Sequence, residues 1–123
     1  MFIKVLGNIR SKKNSKQWTG KHLISSKAYQ EWDRISILQL QSSKHLYPEL
    51  DFPIDYPVSI KCLFYFKTLR YLDIDNALAS IMDPLESAGI ISNDKLVQSV
   101  DGSRLYLDRD NPRVEIQIEP FTD

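Results

Sequence analysis

The chain has 123 residues, 42% of them hydrophobic, and its 16 Lys and Arg residues balance its 16 Asp and Glu residues. This size and composition predict one domain over residues 1–123 and exclude two independent cores, while the zero net charge offers no argument for a polyanionic partner. A single cysteine excludes an internal disulfide, and no apolar run approaches the roughly 20 residues that cross a bilayer, so we expect a cytoplasmic protein without a membrane partner.

Charge is distributed unevenly at the start of the chain. Between Met1 and Gln30 there are seven Lys or Arg residues and no Asp or Glu. Within this part, Phe2 to Leu6 alternates weakly between apolar and polar side chains, which predicts a short strand. Asn8 to Ile24 is polar and basic, with several Ser and Asn residues, which predicts an irregular basic arm that is mobile unless an anion binds it.

A helix and a strand are predicted next. Ser25 or Ser26 can cap a helix from Lys27 to about Ser43. Six apolar residues give this helix a broad stripe at helical spacing, which predicts that it packs on a sheet: Tyr29, Trp32, Ile35, Ile37, Leu38 and Leu40. After a connection that contains three prolines, Val58 to Phe66 alternates and is rich in aromatic and β-branched residues, which makes it the best strand in the sequence.

A second amphipathic helix follows an acidic cluster formed by Asp73, Asp75 and Asn76. Gly89 is expected to end this helix, and Pro84 is expected to kink it or restart it one turn late. Asp94 comes just past the end of the helix.

The last part of the chain predicts three strands, over Val97 to Val100, Arg104 to Leu107 and about Val114 to Ile118. Asp108 to Pro112 has the composition of a hairpin turn between the last two of them. The order of the elements predicts an α+β fold, in which a small mixed β-sheet has two α-helices packed on one face.

The acidic cluster has two interpretations. Asp73 and Asp75 at a strand-to-helix junction can turn toward one point, and Asp94 can return to the same edge after a helix of about 14 residues. Carboxylates that converge in this way can hold Mg²⁺ or Mn²⁺, which lowers the pKa of a bound water and stabilises charge on a cleaved phosphate. In the other interpretation, these residues are ordinary helix caps. The same D-x-D-N letters recur from Asp108 to Asn111 in an expected turn, so the letters alone do not distinguish a metal site from an ordinary cap.

Several segments together carry a more specific signature. They are Asp73-Ile-Asp75-Asn76, Asp83, Leu85, Gly89-Ile-Ile-Ser-Asn93-Asp94 and Val97, with the basic segment Lys12-Lys13-Asn14-Ser15-Lys16, the helix start Ser26-Lys27-Ala28-Tyr29 and the final strand Pro112-Arg113-Val114-Glu115-Ile116. In this combination the chain resembles the RusA family of Holliday junction resolvases over most of its length. The spacing from Asp75 to Asp94 makes the match specific.

The resemblance implies a small homodimeric endodeoxyribonuclease that uses Mg²⁺, with Mn²⁺ as a substitute ion, to nick four-way DNA junctions symmetrically in recombination and repair. Such proteins are often carried by phages and prophages. By resemblance, Asp73, Asp75 and Asp94 are the catalytic, metal-binding aspartates. The residues expected to contact DNA are Lys12, Lys13, Lys16, Lys21, Arg70 and Lys95. For each lysine of the arm a solvated loop stays open as the alternative, and for Arg70 a pairing with a nearby carboxylate.

The chain departs from the family pattern at three positions. The family places a functionally important Lys three residues after the motif Asn, where this chain has Ala79. Asn93 replaces the first of two acidic residues, and Pro84 stands in the helix that supports Asp75. A cation at position 79 would help to hold the scissile phosphate or the attacking water. Its loss leaves a second hypothesis open, a junction-binding protein with weak or lost catalysis, and a nuclease for other branched or flapped DNA is a third.

Overall fold

The computed structural model describes residues 1–11, 16–18, 23–25, 27–68 and 72–122, and of residues 16–18 and 23–25 it describes the backbone alone. The strands in chain order are β1 (Phe2–Leu6), β2 (Lys16–Trp18), β3 (Leu23–Ser25), β4 (Val58–Phe66), β5 (Val97–Ser99), β6 (Arg104–Leu107) and β7 (Arg113–Pro120). The helices are α1 (Lys27–Ser43), α2 (Ile74–Ser87) and two short 3₁₀ helices, Lys44–Leu46 and Asp94–Leu96. No helix in these ranges has the length and apolar character to cross a membrane.

Five strands form one mixed sheet in the order β1, β7, β4, β5, with β6 also paired to β4. β7 runs antiparallel to both β1 and β4, whereas β5 and β6 run parallel to β4. β5 pairs with the beginning of β4, and β6 pairs with its end from Leu63 to Phe66. Between these two pairings, the Cys62 N–H donates to the Ser103 hydroxyl at 3.0 Å. The predicted α+β fold with a small mixed sheet and two α-helices is confirmed.

The predicted hairpin between β6 and β7 is wrong. β4 lies between these strands in the sheet, so the connection from Asp108 to Pro112 crosses the end of β4. There the Asp108 N–H donates to the Phe66 carbonyl at 2.8 Å, and Arg113 Nη1 binds Asp108 Oδ2 at 2.9 Å. Turn-forming residues indicate where a chain reverses, but they do not determine which strand it pairs with next.

Both helices cover the same face of the sheet. β4 directs fully or almost fully buried side chains to this face at alternate positions: Val58, Ile60, Cys62, Phe64 and Phe66. They form one buried cluster with Trp32 and Leu40 of α1 and with Ile81 and Leu85 of α2. Each large aliphatic side chain buried in this way stabilises the fold by about 1.5–3 kcal/mol.

α1 has the predicted bounds, but its buried face differs from the predicted stripe. The buried residues are Tyr29, Trp32, Ser36, Leu40 and Ser43. Ile35 and Leu38, which the stripe included, are 38% and 52% exposed. Ser36 can take a buried position because its small side chain donates to the Trp32 carbonyl at 2.6 Å, which satisfies its hydroxyl. A search for apolar periodicity alone misses such a residue.

Pro84 does not restart α2. The helix is continuous over Ile74–Ser87, and Pro84 is buried inside it. The Ala88 N–H donates to the Pro84 carbonyl at 2.8 Å, so the hydrogen-bonded ladder continues past the proline to the helix end. The predicted restart is therefore wrong.

Part of the basic arm forms a two-stranded antiparallel sheet, which corrects the expectation of an irregular segment. β2 and β3 pair antiparallel, with Lys16 opposite Ser25 and Trp18 opposite Leu23. Trp and Ile favour strands even within a polar segment, and the two stretches satisfy each other's backbone hydrogen bonds. Residues 12–15 and 19–22 of the arm lie outside the described residues.

Candidate active site

Asp73 stands at the N-cap of α2. Its backbone is extended, with φ −63° and ψ 151°, and its carbonyl accepts a hydrogen bond from the Ala77 N–H at 3.0 Å. A carboxylate at this position usually accepts a second hydrogen bond from the first turn of the helix. The Asp73 carboxylate makes no such cap bond, and the residue is exposed. Capping therefore does not account for this side chain, and its oxygens are available to a ligand.

Asp75 and Asn76 lie in the first turn of α2. Asp75 is exposed, whereas Asn76 is 6% exposed and its side-chain oxygen has no hydrogen-bond partner among the described residues. The N–H groups and the dipole of a helix start favour negative charge, so Asp73 and Asp75 lie at a helix end that stabilises both carboxylates. Ala79 lies one turn after Asp75, on the same side of α2, and is half-buried.

Gly89 turns the chain back after α2. Its φ of +73° is in the left-handed region that favours glycine. The Ile90 N–H donates to the Leu85 carbonyl at 2.9 Å, and the Gly89 N–H donates to the Glu86 carbonyl at 3.0 Å, which together form a Schellman ending. The predicted end of the helix at Gly89 is confirmed.

The returning segment is tied to the connection that precedes β4. The Ile54 N–H donates to the Ile90 carbonyl at 2.9 Å, and the Ile54 carbonyl accepts from the Ser92 N–H at 2.9 Å. Ile90 and Ile91 are fully buried. The chain is therefore fixed up to Ser92, immediately before the next candidate residues.

Asp94 is the exposed first residue of the second 3₁₀ helix. Asn93 caps this helix, and its Oδ1 accepts from the Lys95 N–H at 2.8 Å. The Asp94 N–H donates to Glu86 Oε1 at 2.9 Å, which connects the 3₁₀ helix to the last turn of α2. Sequence reasoning treated Asn93 only as a lost charge, although an Asn before a short helix is a recognisable cap signal. It missed Glu86, because no local pattern reports a contact between two elements.

The described residues contain no ready-made metal site. No group of three His, Cys, Asp or Glu side chains among them is arranged to hold a metal ion, so Asp73, Asp75 and Asp94 are not brought together as a three-carboxylate cluster. The donor chemistry nevertheless fits a hard divalent cation, since Mg²⁺ prefers carboxylate oxygens and retains several waters. Asp73 and Asp75 lie at the start of α2, whereas the Asp94 N–H binds Glu86 in its last turn, so the helix separates the two ends by roughly 20 Å and rotation of the short side chains does not bring all three to one ion.

Further carboxylates lie where α1 meets α2. Burial, together with the nearby carboxylates of Asp33 and Asp83, raises the pKa of Tyr29. Tyr29 therefore stays protonated at neutral pH. The same relation indicates that Asp83 of α2 lies near Tyr29 of α1.

The residues expected to contact DNA are described only in part. Lys95 is exposed beside Asp94. Lys16 begins β2, and its side chain is outside the description. The others lie outside the described residues altogether: Lys12, Lys13, Lys21 and Arg70. A role for each of these residues in DNA binding stays a prediction.

Two comparisons with known proteins identify relatives of this chain. A family model described as Endodeoxyribonuclease RusA matches residues 5–119. A protein of Aquifex aeolicus (strain VF5), named Crossover junction endodeoxyribonuclease RusA, is 37% identical over 68 residues, which cover 55% of this chain and 53% of that protein. The match thus spans about half the length of this curated relative.

Proposed function

The chain belongs to the RusA family of endodeoxyribonucleases, and we propose that it is a Mg²⁺-dependent enzyme that resolves four-way DNA junctions by paired symmetric nicks. The observation that carries the proposal is the Asp73 carboxylate, which occupies a cap position without capping and lies beside Asp75 at the start of α2. The name of the Aquifex aeolicus relative supports a crossover junction as the substrate.

In this proposal Asp73 and Asp75 hold Mg²⁺ at the start of α2, Asp94 is the third ligand that the family resemblance assigns, and Mn²⁺ can replace the ion. The ion supplies a water of lowered pKa and positive charge next to the scissile phosphate. The start of α2 directs the positive end of its dipole to the same place, and Lys95 contacts a DNA phosphate. The remaining basic residues bind more distant phosphates: Lys12, Lys13, Lys16, Lys21 and Arg70.

Paired nicks need two active sites, which a homodimer with two-fold symmetry provides at equivalent positions of a symmetric junction. We expect residues 1–123 to act as one domain of that dimer. The substrate is branched DNA formed during recombination and repair, so we place the protein in the cytoplasm.

The proposal is tested with a labelled synthetic four-way junction and a linear duplex of matching sequence, each with Mg²⁺, Mn²⁺ or EDTA. The wild-type protein should nick the junction alone, at symmetric positions, and only with metal. Asp75→Asn should abolish nicking and leave junction binding intact, because it removes a charged ligand. Asp110→Asn is the matched control, since Asp110 has the same place in the repeated D-x-D-N letters but lies in the β6–β7 connection. Full activity of Asp75→Asn would contradict the proposal.

A junction-binding protein with weak or lost catalysis is the second candidate. It is favoured by Ala79, which leaves no cation one turn after Asp75, and by the lack of a three-carboxylate cluster among the described residues. In the same assay it predicts a junction that is retarded on a native gel but stays uncut at every Mg²⁺ and Mn²⁺ concentration. Cleavage of flapped DNA instead of the four-way junction would indicate a nuclease for other branched substrates.

A further inference from the structure

The face of the sheet opposite the two helices carries a row of aromatic rings and guanidinium groups. Neither α1 nor α2 covers this face in the described part of the chain, since both helices pack on the buried side chains of the other face. Tyr65 of β4 and Tyr106 of β6 are register partners, and their rings stack with centres 4.9 Å apart and an angle of 14° between their planes. Arg113 of β7 pairs with Tyr65 from the other side, and its guanidinium lies 3.8 Å from the centre of the Tyr65 ring.

The Tyr65 ring is held in place from both neighbouring strands. On the β7 side, Arg113 is itself fixed by Glu115 Oε2 at 2.7 Å and by Asp108 Oδ2 at 2.9 Å. On the β6 side lies the ring of Tyr106. Stacked rings attract each other, and so do a cation and the face of a ring. The row therefore gives the Tyr106 ring a defined orientation before any ligand binds.

Tyr106 ends the row at an edge of the sheet. β6 pairs with β4, and no other strand of the described sheet pairs with β6. Tyr106 is partly exposed, and the exposed Arg104, two residues earlier on the same side of β6, lies 5.3 Å from the centre of its ring. Among the described residues, no carboxylate forms an ion pair with Arg104. The end of the row thus combines a ring at the sheet edge with an arginine whose charge the described fold does not neutralise.

We propose that this end of the row binds single-stranded DNA, with an unpaired base stacked on Tyr106 and a neighbouring phosphate bound by Arg104. Aromatic side chains stack on any nucleobase, and cations beside them bind the phosphates that connect the bases. Charge complementarity favours this partner, since Arg104 and Lys61 are exposed cations of this face, whereas Glu115 is neutralised by Arg113. An acidic peptide would satisfy the cations as well, but it would leave the surface of the ring unused.

The row lies at the end of β4 that leads to the candidate active site. β4 ends at Phe66, shortly before Asp73 at the N-cap of α2. Glu119, another carboxylate of the uncovered face, pairs with Ser59 at the opposite end of β4. A DNA strand that leaves the start of α2 over this end of the sheet therefore meets Tyr106 and not Glu119. The inference goes beyond the proposed nuclease activity, because the binding needs neither a metal ion nor cleavage.

The test measures binding by fluorescence anisotropy in EDTA. One labelled probe is a thymidine strand of about 12 nucleotides, within the usual size of such sites, and the other is an abasic strand of the same length, which keeps the phosphates and lacks the bases. Tyr106→Leu removes the ring, Tyr106→Phe keeps the ring without its hydroxyl, and Arg104→Gln removes the charge. Tyr56→Leu is the matched control at an exposed tyrosine outside the strands. Circular dichroism checks that each variant is folded.

The wild type should bind the thymidine strand more tightly than the abasic strand. Tyr106→Leu should lower the affinity for the thymidine strand about tenfold, as is usual when one base loses its aromatic partner, and should leave the affinity for the abasic strand unchanged. Tyr106→Phe and Tyr56→Leu should bind like the wild type. Arg104→Gln should weaken the binding of both strands and reduce the slope of log affinity against log salt by about 0.7, the value for one phosphate contact on a single strand.

Equal wild-type affinities for the two strands would overturn the inference, because the bases would then contribute nothing. A folded Tyr106→Leu variant that still prefers the thymidine strand would overturn it as well, since the base would stack elsewhere. Should Tyr106→Leu fail to fold, Arg104→Gln provides the test at an exposed residue, and an unchanged salt slope there would exclude this end of the row. Failure of the junction-cleavage assay has no effect on these results, because they are obtained without metal and without a junction.

Discussion

Ala79 lies four residues after Asp75 on α2, so the two residues face the same side of the helix. An alanine contributes no charge there, and Lys95 is the basic residue next to a candidate ligand in the described part of the chain. A fixed cation close to a reacting phosphate stabilises the charge that develops on it. We therefore expect the residue at position 79 to affect the rate of the proposed cleavage.

Ala79→Lys is expected to raise the rate of junction cleavage. The new ammonium group can reach a phosphate held beside Asp75, and such an electrostatic contact is worth about a hundredfold or more in rate. The rate is measured in single turnover at saturating Mg²⁺. Gln41→Lys adds the same charge on the exposed side of α1 and serves as the control. Equal rates for the two variants would mean that the missing lysine does not limit catalysis.

Residue identity predicts some of these properties and not others. The burial of Cys62 follows from its place in an apolar strand, and burial raises the pKa of its thiol to about 12. Asp73 is a typical N-cap residue by its letters, but whether its carboxylate caps the helix depends on its side-chain torsion, which the letters do not specify. The unused carboxylate of Asp73 therefore becomes visible only in the structure.

At the scale of elements, the crossing from β6 to β7 is held by one arginine. Arg113 binds Glu115 Oε2 at 2.7 Å and Asp108 Oδ2 at 2.9 Å, and its guanidinium lies 3.8 Å from the centre of the Tyr65 ring. Hydrogen bonds from Arg113 and from the Asn111 N–H hold the pKa of Asp108 below its usual value. A carboxyl group whose pKa is lowered in the folded protein stabilises the fold at pH values above its pKa in the unfolded chain, which is about 3.9 for Asp. That contribution to stability is lost as the pH falls through the pKa of the folded state.

Asp108→Asn is therefore expected to lower the melting temperature at neutral pH, because the ion pair with Arg113 is lost. The difference from the wild type should shrink below about pH 4 and vanish where the wild-type Asp108 is itself protonated. Thermal unfolding followed by circular dichroism from pH 7 to pH 2.5 measures this trend. Asp110→Asn, in the same connection, should show no comparable dependence. A difference that stays constant over the whole pH range would contradict the linkage.

The first and last residues of an element were predictable where apolar side chains recur at a single spacing through the whole element. β4 and α1 have that property, and their predicted bounds agree with the structure. The partner of β6 was not predictable, because strand order depends on contacts between distant segments rather than on turn residues. The buried face of α1 was predictable only in part, since a small polar residue, Ser36, takes one of its buried positions.

At the scale of the whole molecule, β1 forms an edge of the sheet that is closed by side chains. The Tyr47 hydroxyl accepts from the Phe2 N–H at 2.8 Å and donates to the Phe2 carbonyl at 2.7 Å. The Gln39 amide does the same for Leu6, at 2.8 and 2.9 Å. These contacts occupy backbone groups that would otherwise pair with a strand of another chain. A second copy is therefore not expected to extend the sheet at β1.

A different surface next to this edge is suited to a second copy. A groove of about 400 Å³ separates β1 from the end of α1, and it is lined by Lys4, Leu38, Gln39, Ser42, Ser43, His45 and Leu46. Leu38 and Leu46 are 52% and 62% exposed, and on β1 Phe2 and Leu6 are 48% and 59% exposed. Among the described residues, none of those that line the groove is acidic. Clustered apolar side chains with few charges are typical of contact surfaces between proteins, so we expect this face to hold the proposed dimer together.

The double variant Leu38→Glu, Leu46→Glu is expected to convert the dimer into a monomer. Each substitution would place a carboxylate in an interface where the two-fold axis brings the same residues of both copies together, and burying such unpaired charge is unfavourable. Sedimentation velocity measures the change, and Leu107→Glu, at an exposed leucine of β6, is the control. A double variant that stays dimeric would exclude this face. A wild-type protein that is monomeric both alone and on the junction would exclude the dimer, and paired nicks would then require two separate binding events.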